Sequence, residues 1–213
     1  MNLKVCEALD LKVGYDKRFP ILENINFTIE QRKKYALVGS NGSGKTTLIK
    51  TIAGIIPAID GKLEYKKGAK ISIVPQSKKI NFLFPITVEK LLKMGMEVDI
   101  PIYKKYHFNE DEKNILKILG VEDILKLTLR KCSGGQLQRA FLARTLLLKP
   151  DLAIFDEPLD ALDPSSRKKL IEIIKEKISD TSILVITHNI ESDWLKEFNQ
   201  VLEVVNKKVI ILK

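Results

Sequence analysis

Residues 1 to 38 alternate apolar and polar positions in β-type runs separated by turn signals: Leu9 to Val13, Ile21 to Ile29 and Tyr35 to Val38. In the last of these the apolar content becomes continuous, as a strand buried on both faces requires. A helical run from Thr46 to Ala53 follows and stops at Gly54, a residue that closes a helix in the left-handed conformation. Strand-like segments at Lys62 to Tyr65 and Lys70 to Val74 lead into Pro75-Gln76. From about Ser77 to Lys131 the period changes from two to that of a helix. Thr87 can cap a helix through Met94, and Asn109 with Glu112 forms the pattern of a capping box for a helix ending at Gly120. The helix Leu137 to Leu148 is then terminated by Pro150, and a wholly apolar strand, Leu152 to Phe155, ends in Asp156-Glu157. Asp163-Pro164 opens a helix through Ile178 with a cap residue and a proline at its first position. A buried-type strand, Ile183 to Thr187, ends at His188, and a hairpin pairs Val201 to Val205 with Val209 to Leu212 around Asn206-Lys207-Lys208. The change of period places a helical insertion of about fifty residues between strands of one sheet.

Between the third strand and the first helix lies Gly39-Ser40-Asn41-Gly42-Ser43-Gly44-Lys45-Thr46, a full match to G-x-x-x-x-G-K-[ST] in the strand–loop–helix context that motif demands. Its glycines let backbone N–H groups converge on an anion. Lys45 brings a positive charge to the β- and γ-phosphates, Thr46 offers a hydroxyl to Mg2+, and the helix start adds its positive end. Asp156 and Glu157, adjacent at a strand end, point in different directions, so one acid can serve Mg2+ and the other the attacking water. Ser133-Gly134-Gly135-Gln136 is a second glycine-rich helix start, readable in isolation as a capped helix and no more. Tyr15 is open to two readings: residue type favours packing in a hairpin, and position ahead of the phosphate loop favours stacking on adenine. Phe82-Leu83-Phe84-Pro85-Ile86 is either core or a docking surface for another protein.

With 213 residues and 45% apolar content the chain suits one nucleotide-binding domain and not two, so chemistry needing two calls for a partner. No apolar run approaches a membrane span, and the first residues lack the apolar stretch of a signal peptide, which leads us to expect a cytoplasmic chain. Cys6 and Cys132 form neither a disulfide framework nor a metal pair. The net charge of +9 comes from lysines scattered through amphipathic segments. It reads as a solvated face, compatible with work at an anionic leaflet, and not as a nucleic-acid patch.

Taken in order, the phosphate loop, Gln76, Ser133 to Gln136, the strand ending Asp156-Glu157, Asp163 and His188 resemble the ATP-binding cassette (ABC) ATPases from end to end. The Ser-Gly-Gly-Gln signature is absent from P-loop kinases and GTPases, which ranks a phosphate-transferring kinase last. The resemblance implies an α/β fold in one domain, residues 1–213, with a P-loop NTPase (RecA-like) core of mostly parallel sheet, an N-terminal antiparallel β subdomain and a helical subdomain inserted at about 77–143; it also implies cassettes paired head to tail, with ATP between the phosphate loop of one and the signature of the other. Position by position it implies Tyr15 on adenine, Gly39 and Ser40 to Thr47 on the triphosphate, and Thr46, Gln76 and Asp156 about Mg2+. It further implies Glu157 orienting the hydrolytic water and His188 on the γ-phosphate. Ser133, Gly134, Gly135 and Gln136 would complete the opposite ATP, with Asp163 coupling the two sites. Cys132 stands where the family commonly has leucine, Arg32-Lys33 where Gly-Glu is common, and Asp160 where serine is common.

The function implied is the energy-supplying subunit of a membrane transporter, peripheral on the cytoplasmic side of the cell membrane. Its partners would be a second copy, membrane-spanning permease subunits and an external solute-binding protein. The segment Phe84 to Gly95 looks like the corresponding stretch of cassettes serving uptake of zinc, manganese or iron chelates. The alternative is a soluble cassette ATPase of a cytosolic assembly machine.

Overall fold

The computed structural model describes residues 3–74, 85–94, 96, 107–158, 168, 171–172, 180–187 and 193–213. Three strands, β1 (Lys4–Val13), β2 (Leu22–Glu30) and β4 (Asp60–Tyr65), form an antiparallel sheet in the order β2-β1-β4. A second sheet of six strands runs β5-β6-β7-β3-β8-β9, from β3 (Lys34–Gly39), β5 (Ile71–Val74), β6 (Leu152–Asp156), β7 (Ser182–Ile186), β8 (Gln200–Val205) and β9 (Lys208–Ile211). Its strands are parallel except β9, which returns antiparallel along β8. The helices are α1 (Lys45–Ile52), α2 (Val88–Lys93), α3 (Glu110–Ile118) and α4 (Gly134–Leu148). The last three lie in sequence between β5 and β6, which are direct neighbours, so the helical segment interrupts one sheet as the change of period indicates.

Alternation along each strand sorts the apolar residues onto two faces. Ala36, Val38, Val74, Ala153, Phe155, Ile183 and Val185 point to the side covered by α2, α3 and α4. Leu37, Leu152, Ile154, Leu184, Ile186 and Leu202 point to the other, where α1 and the antiparallel sheet supply Leu48, Ile49, Val5, Leu11 and Ile25. Full cover on both faces is why these strands are continuously apolar.

Several boundaries differ from those predicted. The α4 helix starts at Gly134, not Leu137, because Ser133 and Gln136 close a capping box around the glycines, a local bond pattern that apolar periodicity does not report. It ends at Leu148 with Lys149 in the left-handed conformation, φ 44°, ahead of Pro150. The final turn is two residues, Asn206 and Lys207, both at positive φ, so Lys208 belongs to β9. The capping box of Asn109 and Glu112 and the Thr87 cap are present as expected. Phe82 to Phe84, Asp160 and most of the helix expected from Asp163 to Ile178 lie outside the described residues.

Candidate active site

Register brings the phosphate loop and the acidic strand to one edge. Ile186 of β7 pairs with Asp156 on one side and Leu37 on the other. Gly39 and Glu157 therefore leave the sheet at the same carboxyl edge with one strand between them, the place where open α/β sheets bind ligands. No room exists for a side chain at two of the loop's glycines. A Cβ on Gly39 would lie 2.8 Å from the Val204 carbonyl oxygen, and one on Gly44 would lie 2.7 Å from Ile21 Cγ2. Gly44 also has φ 107° and Gly42 φ 79°, conformations that L side chains rarely adopt. Gly42 faces open space, where a bound anion can approach the backbone.

Lys45, the first residue of α1, is buried at 5% exposure and donates to the carbonyl oxygens of Gly39 and Ser40, both at 2.8 Å. Burial lowers its pKa, an effect opposed by the nearby Glu157 and Asp156 carboxylates. That opposition places both acids within electrostatic reach of the lysine. Glu157 sits at φ 50°, left-handed for a residue with a Cβ, and donates its backbone N–H to Ile186 at 3.2 Å. Such a conformation at a strand end re-aims the side chain and is stored where the surrounding ladder fixes it. A pocket of about 410 Å³ is lined by Ile21, Asn41, Gly42, Gly44, Lys45, Thr46, Thr47 and Glu157.

The residues present fit a magnesium–triphosphate. Among the described residues no three His, Cys, Asp or Glu side chains form a cation site of their own. Ser43 Oγ is buried beside Gly39 without a hydrogen-bond partner among the described residues, a polar atom left over inside the cradle. Thr46 and Glu157 line the pocket, and Asp156 leaves the sheet beside them.

Not every expected site residue joins this pocket. Tyr15 is 68% exposed and is not among its lining residues. Ser133 accepts from Gln136 N–H at 3.2 Å and donates its own N–H to Gln136 Oε1 at 2.8 Å, on the exposed start of α4. Gly134 there meets nothing within 4 Å of a Cβ position, and none of Ser133 to Gln136 lines the pocket. Within one chain the two glycine-rich helix starts remain separate. Gln76, Asp163 and His188 lie outside the described residues.

Two features escape the sequence reading. Ile21 floors the pocket and also lines a cleft of about 830 Å³ between the phosphate loop and the β8–β9 turn. Its apolar character ahead of a strand carries no functional signal. Glu203, Val204, Asn206 and Lys207 form the far wall of that cleft. The turn is visible in sequence, its place beside the loop only in the β3–β8 pairing.

A phosphate cradle with a buried lysine and two strand-end carboxylates defines a P-loop nucleotide-binding ATPase. The ABC transporter family model matches residues 22–160, and this chain belongs to that family as an ATP-binding ATPase subunit. It is 35% identical over 195 residues to a zinc import ATP-binding protein from Wolbachia sp. subsp. Brugia malayi, covering 90% of this chain and 76% of the relative. It is 33% identical over 201 residues to a zinc uptake system ATP-binding protein from Listeria innocua, covering 88% and 77%. Among solved structures, an ATP-binding subunit of an ABC transporter superposes with TM-score 0.80 at 25% identity, covering 98% of this chain and 90% of that one.

Proposed function

We propose that this chain powers a metal importer, with zinc as the first candidate cargo, by binding and hydrolysing ATP between two copies of itself arranged head to tail. The observation that carries the ATPase reading is the pocket in which Lys45 and Thr46 face Glu157. The cargo reading is supported by relatives whose names give zinc import and zinc uptake. Membrane-spanning permease subunits receive the motion, an external solute-binding protein delivers the metal, and the cassette sits peripherally on the cytoplasmic side of the membrane. Among the described residues no helix is long and apolar enough to cross a membrane, so crossing falls to the permease.

In the chemistry, the loop backbone from Gly39 to Thr47 and the Lys45 ammonium hold the triphosphate and neutralise charge that develops on the γ-phosphate. Mg2+, held by Thr46, Gln76 and Asp156, supplies further charge neutralisation when bound. Glu157 orients the attacking water and takes its proton, and His188 contacts the γ-phosphate. Tyr15 stacks on adenine. Ser133, Gly134, Gly135 and Gln136 of the opposite copy close the site from the other side, with Asp163 linking the two sites. The separation of the signature from the pocket within one chain favours this pairing.

Replacing Glu157 by Gln in the cell tests the cargo. Cellular zinc, manganese and iron are measured by elemental analysis against wild type. The expected result is reduced accumulation of one of them, zinc first; unchanged content of all three would overturn the importer reading.

A further inference from the structure

The phosphate loop has different neighbours on its two sides. In the strand order β6-β7-β3-β8-β9, the acids at the end of β6 lie to one side of β3 and the β8–β9 turn lies to the other. The two cavities at the loop divide the same way. Lys45, Thr46 and Glu157 line the phosphate pocket together with Ile21, Asn41 and Gly42. The last three also line the cleft of about 830 Å³ that reaches Asn206 and Lys207, and the first three do not. A terminal phosphate under attack must lie at Glu157, so the rest of the nucleotide leaves the pocket at the end away from that acid. That end opens into the cleft. Its volume is within the range of small-molecule sites, and apolar Pro20, Ile21 and Val204 line it alongside the polar loop.

The turn on the far wall consists of two residues in the left-handed region, Asn206 at φ 48° and Lys207 at φ 61°. Two-residue hairpin turns of this kind favour Asn-Gly, because glycine brings no Cβ into that region. Asn206 fits the preference and Lys207 does not. The Lys207 carbonyl accepts from Glu23 N–H at 2.9 Å, which pins the turn to β2 two residues beyond Ile21. Among the described residues the Lys207 ammonium has neither an ion-pair nor a hydrogen-bond partner. A strained backbone kept beside a cavity, carrying a cation without a partner, points to a ligand for that cation.

We infer that the cleft takes the nucleoside end of ATP and that Lys207 is a binding residue there, its ammonium donating to the α-phosphate. The inference rests on the ATP reading of the phosphate loop and not on the pairing of two chains. Lys45 serves the β- and γ-phosphates from inside the loop, and Lys207 serves the α-phosphate from the opposite wall. A long, flexible side chain suits a contact made across a cleft. The ribose lies between Ile21 and the turn, and adenine emerges beside Pro20 toward Tyr15 on the same β1–β2 connection. Charge on the α-phosphate changes little during attack at the γ-phosphate, so the contact acts on binding and not on the chemical step.

The test replaces Lys207 with Gly, Met and Arg in the full chain. Melting temperature without nucleotide, Kd for MgADP by titration calorimetry and KM for ATP are compared with wild type. MgADP carries the α-phosphate but no γ-phosphate, so it reports the single-chain site apart from hydrolysis. Lys207→Gly is expected to melt at or above wild type, because glycine suits the turn. Lys207→Gly and Lys207→Met should both raise Kd at least fivefold, with KM following, and Lys207→Arg should bind within twofold of wild type. Unchanged Kd in the Gly and Met variants overturns this role for Lys207 and leaves the ATP reading intact. Equal weakening in all three variants also overturns it, because the loss would follow the turn and not the charge. So does a lowered melting temperature in Lys207→Gly, since the lysine would then serve the fold. Failure of the wild-type chain to bind MgADP overturns the ATP reading, and this inference with it.

Discussion

The phosphate loop and the signature are both glycine-rich helix starts, yet they are built in opposite ways. At the phosphate loop the helix has no side-chain cap, and its lysine is buried against loop carbonyls. Two of its glycines are hemmed in by Ile21 and Val204, and a pocket opens in front. At the signature the helix is capped by its own Ser133 and Gln136, its first glycine is unencumbered, and none of Ser133 to Gln136 lines the phosphate-loop pocket. The first gathers its loop, its lysine and Glu157 around one pocket of a single chain. The second is stable as it stands and presents its donors outward, which suits a surface that completes someone else's site.

Substitutions separate the two. The largest effect is expected from Lys45→Ala, which removes the buried cation among the phosphate contacts; ATP turnover should fall on the order of 10²-fold or more, read by phosphate release. Next comes Gly44→Ala, whose Cβ meets Ile21 at 2.7 Å on a backbone of φ 107°. Strain of this kind costs about 1–3 kcal/mol, visible as a lowered melting temperature together with weakened ATP binding. Ser133→Ala should cost about 1 kcal/mol through the lost cap, leave ATP binding by the single chain untouched, and weaken ATP-driven pairing. The smallest change in stability belongs to Gly134→Ala, where the added methyl meets nothing within 4 Å. Its melting temperature should hold or rise slightly while pairing weakens. A fall in ATP binding by the isolated Gly134→Ala chain would break the contrast.

How much of this was legible in the sequence follows from which forces are local. The phosphate loop, the Asp156-Glu157 strand end and the capping box at Asn109 are short patterns whose chemistry sits in adjacent residues, and each appears in the fold where the pattern puts it. The left-handed backbone of Glu157 was not legible, because glutamate has no preference for it and the β7 ladder imposes it. Ile21 and the Glu203–Lys207 wall depend on which strands pair, a non-local outcome that alternation along one strand cannot report.

The central claim, that each ATP site is shared between two chains, is tested most directly by mixing two inactive variants, Lys45→Ala and Gly135→Asp. Each alone carries one dead half in every site it forms with itself. A mixed pair has one site with both halves damaged and one with both intact. The account predicts that mixing restores ATP turnover, up to about a quarter of wild type at equal amounts if pairing is random and sites act independently. No recovery, with mixed pairs demonstrated by differential tagging, would contradict a composite site and point to hydrolysis completed within a single chain.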